Sequence, residues 1–296
     1  MAARFMSHLL SLPLVAIVGP TASGKTALAI TMAERFNGEI ICADSRTVYR
    51  EMNIGTAKPT IEDQERVPHW GLNLVEPGEH FSAADFKDYA LQKIKEIRSR
   101  GHIPFLVGGT GLYVDAVLFD YQFGPRADAH IREGLEAMTL EKLIQYCYKN
   151  NIDLPENIKN KRYIIRAIEQ GSINNKRRSN PIDNTVIVGI ATDRDDLRAK
   201  IGARIEQLLN DGVVEEATNL GKKYGWGNAA MTGNIYPLVH DYLERHITLE
   251  EMKEKVTTLD WRLAKRQLTW LQRDPYIYWG DLEKVQSYLV QILANE

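Results

Sequence analysis

The chain has 296 residues, is 44% hydrophobic and 26% charged, and carries a formal net charge of −2. That length buries a large core in one or two domains, and so small a net charge excludes nucleic-acid binding through a uniformly basic surface; such a partner would need a local basic face. No apolar run approaches the roughly 18 residues of a membrane span, and the two cysteines, Cys42 and Cys147, have neither metal spacing nor a disulfide framework, which fits a reducing cytoplasm. The start, Met1 to Pro13, lacks a signal-peptide apolar core and reads as a short disordered lead-in.

Leu14-Val15-Ala16-Ile17-Val18 predicts a short buried strand, and Ala27 to Phe36 a helix stopped by Asn37-Gly38. Between them Gly19-Pro20-Thr21-Ala22-Ser23-Gly24-Lys25-Thr26 matches G-x-x-x-x-G-K-[ST], the phosphate-binding P-loop. Its glycines let backbone N–H groups close around phosphate oxygens, and the helix N-terminus adds partial positive charge. Lys25 is then placed to reach the outer phosphate, and the Thr26 hydroxyl to sit on Mg²⁺. A chance glycine-rich turn would not need a strand before it and a helix after it. The sequence therefore predicts a di- or triphosphate ligand.

Glu39 to Ala43 predicts a second strand, ending in Asp44-Ser45-Arg46. Polar residues at the carboxyl end of a parallel strand beside a P-loop point into the ligand crevice, although a turn that merely uses Asp and Ser fits that stretch equally well on its own. Gly55 to Pro59 and Pro68 to Gly71 read as loops; a single loop histidine such as His69 is more often solvated than catalytic. Ser82-Ala83-Ala84-Asp85 is a capping-box pattern that opens a helix with Phe86, Ala90, Ile94 and Ile97 on one face. Ile103 to Val107 predicts a third buried strand running into Gly108-Gly109-Thr110, so Thr110 joins Asp44 at the strand ends.

From about residue 127 to 183 the chain turns polar and helical, with Leu135, Met138, Leu143, Ile144 and Cys147, then Ile164, Ile165 and Ile168, as the apolar positions. This predicts a helical insertion whose closing loop holds Lys176-Arg177-Arg178, a basic run read as a solvated loop ahead of a phosphate contact. Thr185 to Ile190 returns the chain to the sheet. Thr192 to Asp195 caps a helix whose buried stripe is Leu197, Ile201, Ile205 and Leu208, with Lys200 and Arg204 sharing a second face. Val213 to Lys223 predicts another helix, and Thr248-Leu249-Glu250-Glu251 caps a long one that carries Ala264-Lys265-Arg266-Gln267. A strand at Tyr276 to Trp279 and a helix from Leu282 close the chain.

The P-loop in its Gly-Pro-Thr form, Asp44-Ser45 with Tyr49, Gly55-Thr56-Ala57-Lys58-Pro59, Gly108-Gly109-Thr110 with Leu112-Tyr113, and Ala264-Lys265-Arg266-Gln267 occur in this order from about Leu14 to Trp270. Together they resemble the bacterial tRNA dimethylallyltransferase (tRNA isopentenyltransferase) family. The resemblance implies transfer of a dimethylallyl group from dimethylallyl diphosphate to the exocyclic amine of the adenine just 3′ of a tRNA anticodon. It implies that Gly19 to Thr26 hold the leaving diphosphate with Mg²⁺ on Thr26. Arg204 would neutralise developing charge, Asp44 would take the amine proton, and Thr110 would hold the amine in line. Contacts to the anticodon stem-loop would come from Asp44, Ser45, Arg46, Thr47, Thr110, Lys161, Arg162 and Arg166, with Arg132, Lys265 and Arg266 as weaker candidates.

Four departures from the family pattern fall on the RNA side. The family commonly has Gln at Thr47, Gly-Tyr at Gly233-Asn234 and Arg at Trp261, and its insertion carries an Asp-Pro element missing here. The expected fold is α/β, a mainly parallel P-loop NTPase-like sheet with flanking helices. The expected domains are a core over 1–126 and 184–296 and a tRNA-binding helical insertion over 127–183. A cytoplasmic monomer is expected. Other readings are a small-molecule P-loop kinase, with the insertion as its lid, a divergent paralogue with altered tRNA recognition, and an isopentenyltransferase acting on a free nucleotide.

Overall fold

The computed structural model describes residues 12–124, 129–155, 157–170 and 177–294. Residues 1–11 of the Met1–Pro13 lead-in and Lys176 of the basic run lie outside them. Short apolar runs become strands β1 (Leu14–Val18), β2 (Gly38–Cys42), β3 (His69–Trp70), β4 (Ile103–Gly108), β5 (Thr185–Ile190) and β6 (Tyr278–Gly280). They form one sheet in the order β3-β2-β4-β1-β5-β6, each pair parallel. Strands β1, β2 and β4 are buried at every position, which is why they read as continuous apolar runs rather than as alternation. The His69 segment, expected as a loop, is the edge strand instead. It adds to β2 through Ile40 and Ile41 and is too short to show a pattern.

Helices α1 (Lys25–Arg35), α2 (Ile61–Arg66), α3 (Ala83–Ser99) and α4 (Gly111–Leu118) connect the first strands. The capping box at Ser82 forms with both of its hydrogen bonds. Helix α2 was not legible in the sequence: it has a Thr60–Asp63 capping box but no buried residue, so no apolar period marks it. After β5 come α8 (Arg194–Asn210), α9 (Val213–Tyr224), α10 (Tyr236–Leu243), α11 (Leu249–Leu271) and α12 (Leu282–Leu293). The numbers α5 (Ala129–Ala137), α6 (Leu140–Lys149) and α7 (Lys161–Gln170) belong to a separate compact unit, Asp120–Ser179.

Two apolar cores sit in the main unit. One lies between the sheet and α1 and α12, around Ile17, Ile30, Met32, Phe105 and Leu289. The other is helical, and the stripe Leu197, Ile201, Ile205 and Leu208 packs there with Met231, Tyr236, Met252 and Val256. The helical unit has its own small core of Leu135, Leu143, Cys147, Ile164 and Ile165, the positions that its periodicity marks. None of the described helices is long and apolar enough to cross a membrane.

One carboxylate gathers several of the bonds that tie the helical core to the sheet side. Glu216 on α9 accepts hydrogen bonds from the backbone N–H groups of Asn53, Ile54 and Gly55 at 2.8, 2.7 and 2.9 Å, and from the Tyr236 hydroxyl at 2.9 Å. Gly55 meets the Tyr236 ring so closely that a Cβ would sit 2.6 Å from it. Lys58 completes the loop, donating to the Tyr49 carbonyl and to the Asn53 and Asn73 side chains. Hydrogen bonds to a charged acceptor contribute roughly 1.5–3 kcal/mol each, and the freed donors partly regain water. Glu216→Ala is therefore expected to cost about 2–4 kcal/mol in urea unfolding. A loss below about 0.5 kcal/mol would contradict this role.

Candidate active site

The P-loop leaves β1 and turns into α1 through two left-handed residues, Ala22 at φ 62° and Gly24 at φ 88°. Gly24 is the N-cap of α1 and provides no side-chain cap, so the first amides of the helix face outward for an anion. Gly19 lies so close to Ser23 that a Cβ would stand 2.8 Å from its Oγ. That Ser23 hydroxyl is buried with no protein partner, as is Nε of Arg204. Both are donors at the rim of the same cradle.

Asp44 and Thr110 arrive on the neighbouring strand ends. Asp44 Oδ1 accepts from the Arg46 N–H at 2.7 Å, and Thr110 Oγ1 accepts from the Ser45 N–H at 3.3 Å, which links the two loops. The two strands can close this far because Gly108 has no Cβ: one there would lie 2.1 Å from the Ala43 carbonyl oxygen. Thr47 is buried and donates to the Asp44 carbonyl at 3.4 Å. Arg46 reaches across to the Ala230 carbonyl and the Thr232 hydroxyl.

These side chains share one cavity of about 320 Å³, lined by Thr21, Lys25, Thr26, Asp44, Ser45, Arg46, Thr47, Thr110, Arg204, Arg266 and Gln267 among others. Ile40, Cys42, Val107, Leu208, Val256 and Leu263 supply apolar wall. Lys25, Arg46, Arg204 and Arg266 bring positive charge to this lining, and Asp44 and Asp260 bring carboxylates. Arg204 Nη1 donates to the Thr21 hydroxyl, and Lys25 Nζ donates to the Pro20 carbonyl at 3.1 Å. Burial lowers the Lys25 ammonium to about 8, against the upward pull of Asp44 and with a further push from Arg204. Burial also drives the Cys42 thiol up to about 12, so it is packing and not a nucleophile. His69 lines the wall and holds its Nδ1 on the Val67 carbonyl at 2.7 Å; burial lowers its pKa and keeps it neutral.

Other expected residues sit elsewhere. Lys265 and Arg266 are exposed on α11, and Arg266 reaches the cavity. Arg132, Lys161, Arg162 and Arg166 belong to the helical unit. There Arg132 and Arg166 both pair with Glu169, at 3.2 and 3.4 Å, and Lys161 donates to the Glu136 carbonyl at 2.6 Å. Arg162 is exposed. Arg177, of the basic run, donates to the Tyr121 hydroxyl. Trp261 lies under two guanidiniums, Arg194 and Arg198, at 5.6 and 6.0 Å. Tyr236 puts an aromatic ring in the cavity wall close to Asn234. Residues not singled out beforehand also line the cavity: Asp260, which accepts from the Asn234 amide at 2.7 Å, and Gln267, which accepts from the Thr21 N–H at 2.8 Å. Gln267 was visible only as part of a motif; its distant partner was not.

The chain matches the IPP transferase family over residues 47–274 and the isopentenyl transferase family over residues 12–75. It is 37% identical over 281 residues to the tRNA dimethylallyltransferase of Bacillus anthracis, covering 90% of this chain and 90% of that one. The chain belongs to the tRNA dimethylallyltransferase family. The full-length tRNA isopentenylpyrophosphate transferase of Bacillus halodurans superposes with a TM-score of 0.73 at 36% identity, covering 96% of this chain and 97% of that one. The tRNA delta(2)-isopentenylpyrophosphate transferase of Staphylococcus epidermidis does so with a TM-score of 0.69 at 32% identity, covering 95% and 97%. The P-loop NTPase-like sheet is thus the family's fold, and membership sets the kinase reading aside.

The protonation of Lys25 links both stability and anion binding to pH. A lysine at about 8 in the folded chain and 10.5 unfolded binds fewer protons when folded between those values. Its burial costs stability below pH 8, and the cost is relieved as pH rises through that window. Its charge toward a diphosphate is lost over the same rise. Calorimetric titration with inorganic diphosphate is expected to show affinity falling about fivefold between pH 8 and 9 in the parent relative to Lys25→Arg, whose guanidinium stays charged. Parallel pH curves would contradict a Lys25 contact.

Proposed function

We propose that the chain transfers the dimethylallyl group of dimethylallyl diphosphate to the exocyclic amine of the adenine 3′ of a tRNA anticodon. The observation that carries this reading is a single cavity lined by the P-loop residues Thr21, Lys25 and Thr26 together with Asp44 and Thr110, in a member of this family. A phosphate cradle alone would fit many phosphoryl transfers. A carboxylate and a hydroxyl on the opposing strand ends fit an acceptor amine.

The P-loop amides, Lys25, Ser23 and Arg204 bind the diphosphate as a leaving group. The amine nitrogen attacks the allylic carbon, the carbon–oxygen bond breaks, and its electron pair departs with the diphosphate. The proton released from nitrogen goes to the Asp44 carboxylate. Thr110 orients the amine, a positioning effect. Asp44 improves a weak nucleophile as a general base. Lys25 and Arg204 act most strongly as the C–O bond lengthens, because charge develops on the diphosphate at that moment. The target base leaves its stack to enter the cavity, and an anticodon loop makes this inexpensive.

The donor set fits Mg²⁺ held mainly by the diphosphate itself. Thr26 is exposed at the start of α1 and lines the cavity, and no group of three His, Cys, Asp or Glu side chains able to hold a metal occurs among the described residues. Thr26 would hold the ion with phosphate oxygens and water, and the ion would neutralise leaving-group charge. In the main unit exposed Lys265, with Arg46 and Arg266 at the cavity, supplies positive charge for the RNA backbone, and in the helical unit exposed Arg162 adds its own. A cytoplasmic, monomeric enzyme belongs to the same proposal.

Labelled dimethylallyl diphosphate, Mg²⁺ and an anticodon stem-loop with adenine at the target position test this directly. Label is expected on the RNA with the parent, and Asp44→Ala is expected to lower kcat by about 10²–10⁴-fold. Label on free AMP but not on RNA would sink the RNA-acceptor reading. In the same assay Thr47→Gln is expected to shift the choice among stem-loops, since residue 47 lines the cavity; unchanged rate and choice would deny it a reading role.

A further inference from the structure

Thr21 is held from two distant parts of the chain. Its N–H donates to Gln267 Oε1 on α11 at 2.8 Å, and its hydroxyl accepts from Arg204 on α8. Thr21 is itself buried. Its two bonds therefore run in series, from α11 to the P-loop backbone and from the Thr21 side chain to the arginine.

Gln267 reaches this position through a gap made by Gly109. A Cβ on Gly109 would lie 2.6 Å from Gln267 Nε2 and 2.8 Å from the Gly19 carbonyl. Gln267 is thus wedged between the loops that follow β1 and β4. One turn further on, Trp270 donates to Asp115 Oδ2 at 2.8 Å and covers Gly111, which fixes the end of α11 against α4. The Arg204 guanidinium has little other anchorage, because its buried Nε has no protein partner.

We infer that Gln267 is a positioning residue for the transfer: it sets the P-loop so that Thr21 seats Arg204 against the leaving diphosphate. This inference rests on the proposed function, and deepens it. Removing the Gln267 oxygen frees the Thr21 backbone, loosens the hydroxyl's hold on Arg204, and weakens a charge contact that matters most as the C–O bond breaks. The effect therefore falls on kcat and not on ground-state binding.

A double-mutant cycle with the stem-loop assay tests it, using Gln267→Met, Arg204→Gln and the pair, with thermal midpoints recorded for each. Gln267→Met is expected to lower kcat about 10- to 100-fold with KM for dimethylallyl diphosphate within about threefold. In the Arg204→Gln background the same change is expected to cost less than about threefold, because its target is already gone. Equal losses in both backgrounds, or a loss confined to KM, would overturn the inference and leave the function standing. A parent that transfers nothing to RNA would overturn both. Should Gln267→Met not fold, Thr21→Val keeps the backbone bond and removes the hydroxyl. It must collapse in the same way onto Arg204→Gln, and independent costs would overturn the inference.

Discussion

The site depends on how closely the carboxyl ends of β1, β2 and β4 approach one another. A Cβ at Gly108 would overlap the Ala43 carbonyl at 2.1 Å. Without a side chain at that point, the carboxyl ends of β2 and β4 lie edge to edge and their following loops share a hydrogen bond from the Ser45 N–H to the Thr110 hydroxyl. The P-loop then lines one cavity together with both loops. Parallel strands place all three loops at the same end of the sheet, where ligands of such folds bind.

That geometry concentrates charge of both signs in a small space. Lys25 pays for its place with a lowered pKa, caused first by burial, while Asp44 pulls it back up. Cations and a carboxylate on the strand end in one cavity suit a reaction in which negative charge moves onto a leaving diphosphate and a proton leaves the acceptor. The second, helical core holds the other half of the machinery. Arg204 comes from α8 and Gln267 from α11, and Glu216 ties α9 to the loop at Asn53 to Gly55. Sheet chemistry and helical support therefore meet at Thr21.

Much of this was legible in the sequence, and the reason is local. The P-loop, the buried strands β1, β4 and β5, and the capping boxes at Ser82 and Thr248 are patterns written over a few neighbouring residues. Asp44 and Thr110 could be placed because residues at the ends of parallel strands converge. What could not be read depends on pairs far apart in the chain. Glu216 serves a loop more than 160 residues away, and Gln267 serves a P-loop amide 246 residues away. Charge counting also missed that Arg132 and Arg166 share the buried Glu169, so part of the cationic character of that unit is spent inside it. Helix α2, with no buried face, left no apolar period to find.

On the proposed function, one cavity holds the leaving diphosphate and the acceptor amine in line. A crystal structure of the chain with an anticodon stem-loop and the unreactive thio analogue of dimethylallyl diphosphate would show this. The diphosphate is expected on the P-loop within reach of Lys25 and Arg204. The adenine amine is expected between Asp44 and Thr110, facing the allylic carbon. A diphosphate bound outside the P-loop, or an adenine amine remote from Asp44, would contradict it.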